Sequence, residues 1–308
     1  MNIIFLGTPK FAVKPLQALL DAGHNIVGVV TQIDKANARG NKIVYSPVKE
    51  FAMQNNLPLF QFKSIRKEGV DVLKSLNADV MITASYGQIL SKEIIDICKY
   101  GILNIHGSIL PAYRGASPVL QALLDGQAET GVTIMRTNIG LDDGPMLLKK
   151  YVKIEYDDNQ QTLMDKLSTI GAEAICEVVN NIDYYFANQE LQDDTKATHC
   201  TKVSKDDAKL DFNKDANILR NEIRAYYGNP TSYFIFNEML YKVFNADVAI
   251  VSGKRCGEIV SFDKSNGFVI ACKNGGLKIN IIQKQGSKML GIKDFMNGNK
   301  FEVGQIIE

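Results

Sequence analysis

Asn104 and His106 stand two residues apart at the end of a short apolar run, Gly101-Ile102-Leu103-Asn104-Ile105-His106. If that run is a strand, both side chains point to one face. An amide donor then lies beside an imidazole that titrates near neutral pH. The pair suits a reaction in which a carbonyl oxygen gains negative charge while a proton moves. A lone histidine at a strand end is more often structural, so its company matters. Further along, Gly140-Leu141-Asp142-Asp143-Gly144-Pro145 sets two carboxylates between glycines, a pattern that by itself marks only an exposed turn.

The elements around these residues read as an α/β chain. Residues 2–6 form an apolar strand, followed by Gly7-Thr8-Pro9 and a helical pattern through Val13, Leu16, Leu19 and Leu20 that stops at Gly23. A second apolar strand spans 26–30. Strand, turn, helix, strand predicts a parallel sheet. A dinucleotide site would want Gly-x-Gly-x-x-Gly after the first strand; Gly7-Thr8-Pro9-Lys10-Phe11-Ala12 lacks it. Residues 32–45 read as a long polar loop, and long loops in compact domains tend to be functional or disordered. Ser46 then caps a helix with Pro47 in its first turn. A helix over 67–76, a strand over 80–84, the turn 85–90 and a helix over 92–98 lead back to the central strand. The segment from Gly107 to Gly115 is turn-rich and precedes a helix at 118–124. Strands follow at 131–135 and 146–154, then a long amphipathic helix through Leu163, Leu167, Ile170, Ala174 and Val178. Ligands in open α/β sheets bind beyond the carboxyl ends of the strands, where Asn104 and His106 are expected to lie.

Residues 1–188 are thus expected to form a doubly wound, mostly parallel domain, with 189–204 as a polar linker. Residues 205–308 carry a helix at 216–226. Closely spaced short strands follow at 232–237, 239–244, 257–261, 268–272 and 277–282, and a last helical turn at 294–297. That pattern predicts a small barrel.

Composition excludes several classes. The chain has 308 residues and a net charge of +1, so no global field draws it to a polyanion or a membrane. Split at residue 204, the first part carries −2 and the remainder +3. The five cysteines include no Cys-x-x-Cys pair, and three histidines form no local metal-ligand cluster. Dispersed thiols, no signal-like start and no long apolar stretch lead to the expectation of a cytoplasmic, non-membrane protein without a metal.

Taken together, several motifs resemble those of the methionyl-tRNA formyltransferases. They include Phe5-Leu6-Gly7-Thr8-Pro9, Ser46-Pro47-Val48-Lys49, Tyr86-Gly87-Gln88-Ile89-Leu90 and the run from Asn104 to Gly115. Glu129-Thr130-Gly131-Val132-Thr133-Ile134-Met135 and Gly140-Leu141-Asp142-Asp143-Gly144 extend the match. Near the C-terminus, Ile223-Arg224-Ala225-Tyr226 and Asp294-Phe295-Met296-Asn297-Gly298 belong to it as well. The Asn-x-His and Gly-Leu-Asp combination marks the folate-dependent formyltransferase superfamily, and the C-terminal match narrows it to the tRNA enzymes. Three departures stand out: Pro145 follows Gly144, the chain has no Trp, and the basic loop carries few lysines.

The resemblance implies formyl transfer from 10-formyltetrahydrofolate to the α-amine of methionine on initiator tRNA. The product would be formylmethionyl-tRNA for translation initiation, made by a monomer on an OB-like C-terminal barrel and a Rossmann-like domain. Asn104, His106 and Asp142 become the catalytic residues. The pterin pocket is expected at Tyr86, Gly87, Gln88, Ile89 and Leu90 and at Asn138, Ile139 and Gly140. Ser108, Ile109, Leu110 and Pro111 would lie beside the folate. Candidate tRNA contacts are Lys35, Arg39 and Lys42 in the loop, and Lys254, Arg255, Lys278, Lys284 and Lys288 beyond it. Arg114 could instead be a structural ion pair. Competing readings are a formyltransferase for a sugar or purine-precursor amine, an RNA-binding module without activity, and a nicotinamide dehydrogenase.

Overall fold

The computed structural model describes residues 1–36 and 43–307. It divides into two compact units. The first comprises Met1–Pro118, Glu129–Lys153 and Met164–Cys200; the second comprises Val119–Ala128, Ile154–Leu163 and the chain from Thr201 onward.

A seven-stranded sheet forms the first unit. Its order is Met146–Lys153, Glu129–Arg136, Ile102–His106, Val80–Ala84, Asn2–Gly7, Asn25–Thr31, Leu59–Gln61. The inner strands read as unbroken apolar runs because parallel strands are covered on both faces. Ile3, Ile4, Phe5 and Leu6 accordingly have no exposed surface. Burying each such side chain contributes roughly 1.5–3 kcal/mol. Ser46 caps the helix Pro47–Gln54 by accepting the Lys49 N–H at 3.2 Å, as its sequence predicts.

Two features differ from the sequence reading. The helix expected over 67–76 is two short helices, Ile65–Glu68 and Val70–Ser75. Gly69 divides them, and a Cβ there would lie 2.8 Å from the Ile65 carbonyl oxygen. Within the loop expected over 32–45, Lys35–Ala36 pairs with Ile43–Val44. Arg39 and Lys42 lie outside the described residues.

The edge of the sheet is antiparallel. Glu129–Arg136 runs against both Ile102–His106 and Met146–Lys153. The connection from Arg136 to Met146 is too short for a parallel crossover, which needs roughly a dozen residues or more. Arg136 sits opposite Leu103, at the amino end of the central strand. The stretch that its polarity marks as a linker is tied to the first unit as far as Cys200. Met146 and Glu190 exchange backbone hydrogen bonds of 2.8 Å, and His199–Cys200 pairs parallel to Arg114–Gly115.

In the second unit an antiparallel half-barrel sheet runs in the order Tyr233–Phe236, Met239–Ala249, Gly276–Lys284, Gly267–Ala271, Ile259–Asp263, with Leu290–Gly291 added to Gly276–Lys284. Helix Ala216–Ala225, capped by the Asp215 carboxylate, turns Leu219 and Ile223 into a core with Phe234, Phe268, Phe295 and Phe301. No helix among the described residues is long and apolar enough to cross a membrane. All five cysteines are free thiols.

Candidate active site

The antiparallel edge brings Asp142 back to Asn104 and His106. The loop leaving Arg136 starts at the wrong end of the central strand and must double back. Asp142 makes that reversal with φ +50°, and Gly144 lies so close to the Arg136 carbonyl that a Cβ would overlap it. The Asp142 Oδ2 atom accepts the Gly115 N–H at 2.9 Å and lies 3.7 Å from His106 Nδ1. Its Oδ1 faces Asn104 Nδ2 at 3.5 Å. Thr83, on the neighbouring parallel strand, donates its hydroxyl to Asn104 Oδ1 at 2.9 Å. That bond orients the amide so that its N–H groups, not its oxygen, look toward Asp142.

His106 is buried, and its Nε2 sits 3.0 Å from the Tyr113 carbonyl oxygen. A carbonyl only accepts, so Nε2 carries the proton and Nδ1 is the basic nitrogen of the neutral ring. Burial lowers the imidazole's pKa below its ordinary value, while the Asp142 carboxylate and the Tyr113 carbonyl pull the other way. Burial wins, and His106 is neutral at pH 7.

The loop between strand and helix is held from two sides. Thr133 donates to the Ser108 carbonyl at 2.7 Å and accepts the Leu110 N–H at 3.1 Å. Thr198 accepts the Tyr113 N–H at 2.8 Å. Arg114, buried, donates Nε to Gln192 Oε1 at 2.9 Å and pairs with Asp194 at 2.7 Å. Gln192 in turn gives both protons of its amide to the carbonyls of Asp142 and Gly144, each at 2.8 Å. Thr83 and Gln192 were invisible as site residues in the sequence. Gln192 lies in a polar stretch that composition marks only as a linker, and Thr83 looks like any strand residue.

Residues 1–179 match the family model of the formyl transferases, and residues 202–300 match the formyl transferase C-terminal domain. The chain belongs to the formyl transferase family. WlaRD, a sugar 3N-formyl transferase, superposes with a TM-score of 0.64 at 22% identity, covering 94% of this chain and 99% of that one. HypX from Aquifex aeolicus gives 0.66 at 16% identity over 100% of this chain, which spans only 51% of HypX. Methionyl-tRNA formyltransferase from Clostridium thermocellum gives 0.55 at 15% identity, covering 82% and 95% of the two chains. At such identities the likeness is one of fold.

In this formyltransferase the residues expected to line a cofactor pocket fall into two groups. Tyr86, Ser108 and Leu110 are buried. Tyr86 belongs to the apolar cluster under the sheet, where burial pushes its phenol up to about 12. Its carbonyl accepts Gln32 Nε2 at 2.9 Å. Leu110 packs with Met135 and Met146. The Gln88 amide is engaged with the Ile65 N–H and the Phe62 carbonyl, at 2.9 and 3.0 Å. These side chains are thus taken up within the fold itself. By contrast Ile89, Ile139 and Leu141 are 74%, 71% and 62% exposed, and Asn138 and Gly140 are exposed beside them in sequence. Leu90 is only partly exposed and packs against the core. Gly87, Ile109 and Pro111 complete the turns. Exposed aliphatic residues at such loops suit the face of a flat heterocycle.

The expected cationic contacts are uneven. Lys254 and Arg255 both face Glu258, at 2.8 and 3.8 Å, so their charge is partly offset. Lys278 and Lys288 are exposed, and Lys284 is half-buried at a strand end. Lys35 lies in the two-residue strand pairing noted above.

Proposed function

We propose that this formyltransferase moves a formyl group from N10 of 10-formyltetrahydrofolate to the α-amine of methionine on initiator tRNA. The observation that carries the reaction is that Asp142 lies 3.5 Å from Asn104 Nδ2 and 3.7 Å from His106 Nδ1. The amine attacks the formyl carbon, and its lone pair forms the new C–N bond while the carbonyl π electrons move to oxygen. Asn104, with its oxygen taken up by Thr83, aims an amide donor at that oxyanion; such a preorganised donor is worth about 2.7–4 kcal/mol of barrier. His106, neutral and with Nδ1 toward Asp142, takes up, through that carboxylate, the proton lost by the ammonium nitrogen of the tetrahedral adduct. On collapse the C–N10 bond breaks, its electron pair goes to N10, and the proton follows it.

For the folate, support comes from the exposed aliphatic loops at Ile89 and Ile139, and from WlaRD having been solved in the presence of 5-N-formyl-THF. The acceptor rests on motifs that continue into the C-terminal part, on its match to the C-terminal formyl transferase domain, and on the net charge of +3 carried by residues 205–308. The test is transfer of labelled formyl from 10-formyltetrahydrofolate to initiator Met-tRNA, elongator Met-tRNA and a nucleotide-linked amino sugar. Preferential labelling of the initiator is expected. Transfer to the sugar alone would replace the acceptor and keep the chemistry.

A further inference from the structure

A cleft of about 140 Å³ opens within the second unit, and the chemistry above makes no use of it. Its walls come from the 154–163 segment, the helix Ala216–Ala225 and the strands Met239–Ala249 and Gly276–Lys284. Arg220 lies over the Tyr156 ring, its guanidinium carbon 3.3 Å from the ring centroid, and one N–H reaches the Tyr156 carbonyl at 2.5 Å. Its Nε–H is sealed from solvent and has no acceptor. A buried charged donor without an acceptor is costly.

Arg224 lies one helical turn further along the same face, and also lines the cleft. Two like charges four residues apart on a helix repel. Burial and then the Arg220 charge both push the Arg224 guanidinium below its usual range. Its Nε donates to Asn221 at 3.0 Å. Asp158 offsets part of this charge, but its carboxylate oxygens accept the Glu155 N–H at 2.8 Å and the Thr162 hydroxyl at 2.9 Å, within its own turn. Asp157 is exposed on that same turn. The remaining wall is aromatic: Tyr227 and Phe244 meet edge to face at 6.0 Å.

Two neighbouring guanidinium forks on one wall fit a tetrahedral oxyanion, and adjoining rings fit a planar group attached to it. We propose that this cleft binds the phosphate of a nucleotide, held by Arg220 and Arg224, with the base against Tyr227 and Phe244. The nucleotide could be free or part of a strand, and the site stands whichever amine is formylated.

The full chain would be titrated with AMP and, separately, with a short single-stranded RNA, by calorimetry and NMR. In the wild-type protein the Arg220 Nε–H signal should shift on addition of at least one probe. Arg220→Gln and Arg224→Gln should each weaken that binding at least tenfold, and Arg224→Lys, which keeps charge but not the fork, severalfold. Comparable affinity for both probes assigns the site to free nucleotide; binding of RNA alone assigns it to a strand. No Arg220 signal shift with either probe at millimolar concentration overturns the proposal. So does binding that survives both glutamine variants.

Discussion

Two arginine-bearing regions of this chain are built on opposite terms. Around Asp142 every named polar group has a partner: Arg114 holds Gln192, Gln192 holds the Asp142 and Gly144 carbonyls, and Thr83 holds Asn104. Around Arg220 a donor is buried without one. The first arrangement fixes atoms before a substrate arrives, which is what lowering a barrier demands. The second leaves one donor unfilled, which suits the ligand proposed there. Arginine serves as a strut in one and as a fork in the other.

The largest effects should come from the fixed centre. Asn104→Asp replaces the donor by an anion facing the developing oxyanion, and kcat should fall by roughly 100- to 1,000-fold with little change in folate affinity. His106→Ala and Asp142→Ala should each cost roughly 100-fold or more. Single-turnover formyl transfer measures this, and activity within threefold of wild type for any of the three removes that residue from the chemistry. Gln192→Leu comes next. It touches no reacting atom, so its effect must pass through Asp142, whose positive φ is unfavourable without support. A loss of roughly 10- to 100-fold in kcat is expected, because small misplacements of a reacting group carry such costs. KM should stay near wild type, and Gln192→Glu should not rescue, since a carboxylate cannot donate to the two carbonyls. Equal losses in kcat and folate binding would make Gln192 a general structural prop.

A smaller, graded effect concerns protonation. His106 in the folded protein titrates below its unfolded value of about 6.5. The unfolded chain therefore takes up this proton first, and stability is lost as pH falls from about 6.5 toward the lowered value. Asp142→Asn removes the charge that pulls the pKa upward. The His106 ring signals should then titrate at lower pH than in the wild type, read by NMR. A move to higher pH would mean that Asp142 acts on the ring other than through its charge.

The sequence already contained the strand that presents Asn104 and His106, because spacing of two on a strand fixes a shared face. Asp142 was legible only through the resemblance, since an acidic turn between glycines is ordinary. What stayed hidden was direction. A run such as Glu129-Thr130-Gly131-Val132-Thr133-Ile134-Met135-Arg136 is equally apolar in a parallel or an antiparallel pairing, so the doubling-back of the Asp142 loop could not be read from it. The support from Gln192 was hidden for a different reason. It joins residues 50 and 48 positions apart, through a stretch whose local composition is that of a connector. Arg114, which the sequence allows as a structural ion pair, forms one with Asp194.

The smallest expected effect separates surface cations that look alike in sequence. Lys254 and Lys278 both belong to the positively charged second part of the chain. Lys254 is paired with Glu258, which Arg255 also faces, so its charge is already partly offset where it stands. Lys278 stands exposed on the strand Gly276–Lys284, its stem against Gly267. If the second unit meets RNA phosphates through its sheet, Lys278→Gln should lower the slope of log Kd against log salt by about one, the signature of one lost phosphate contact. Lys254→Gln should weaken binding slightly at low salt and leave the slope within error of wild type, because a lysine engaged by Glu258 releases no counterion from a phosphate. Salt titrations of tRNA binding by fluorescence anisotropy distinguish them. A slope that drops for Lys254→Gln and not for Lys278→Gln would move the RNA-facing surface away from the Gly276–Lys284 strand and toward the turn that carries Glu258.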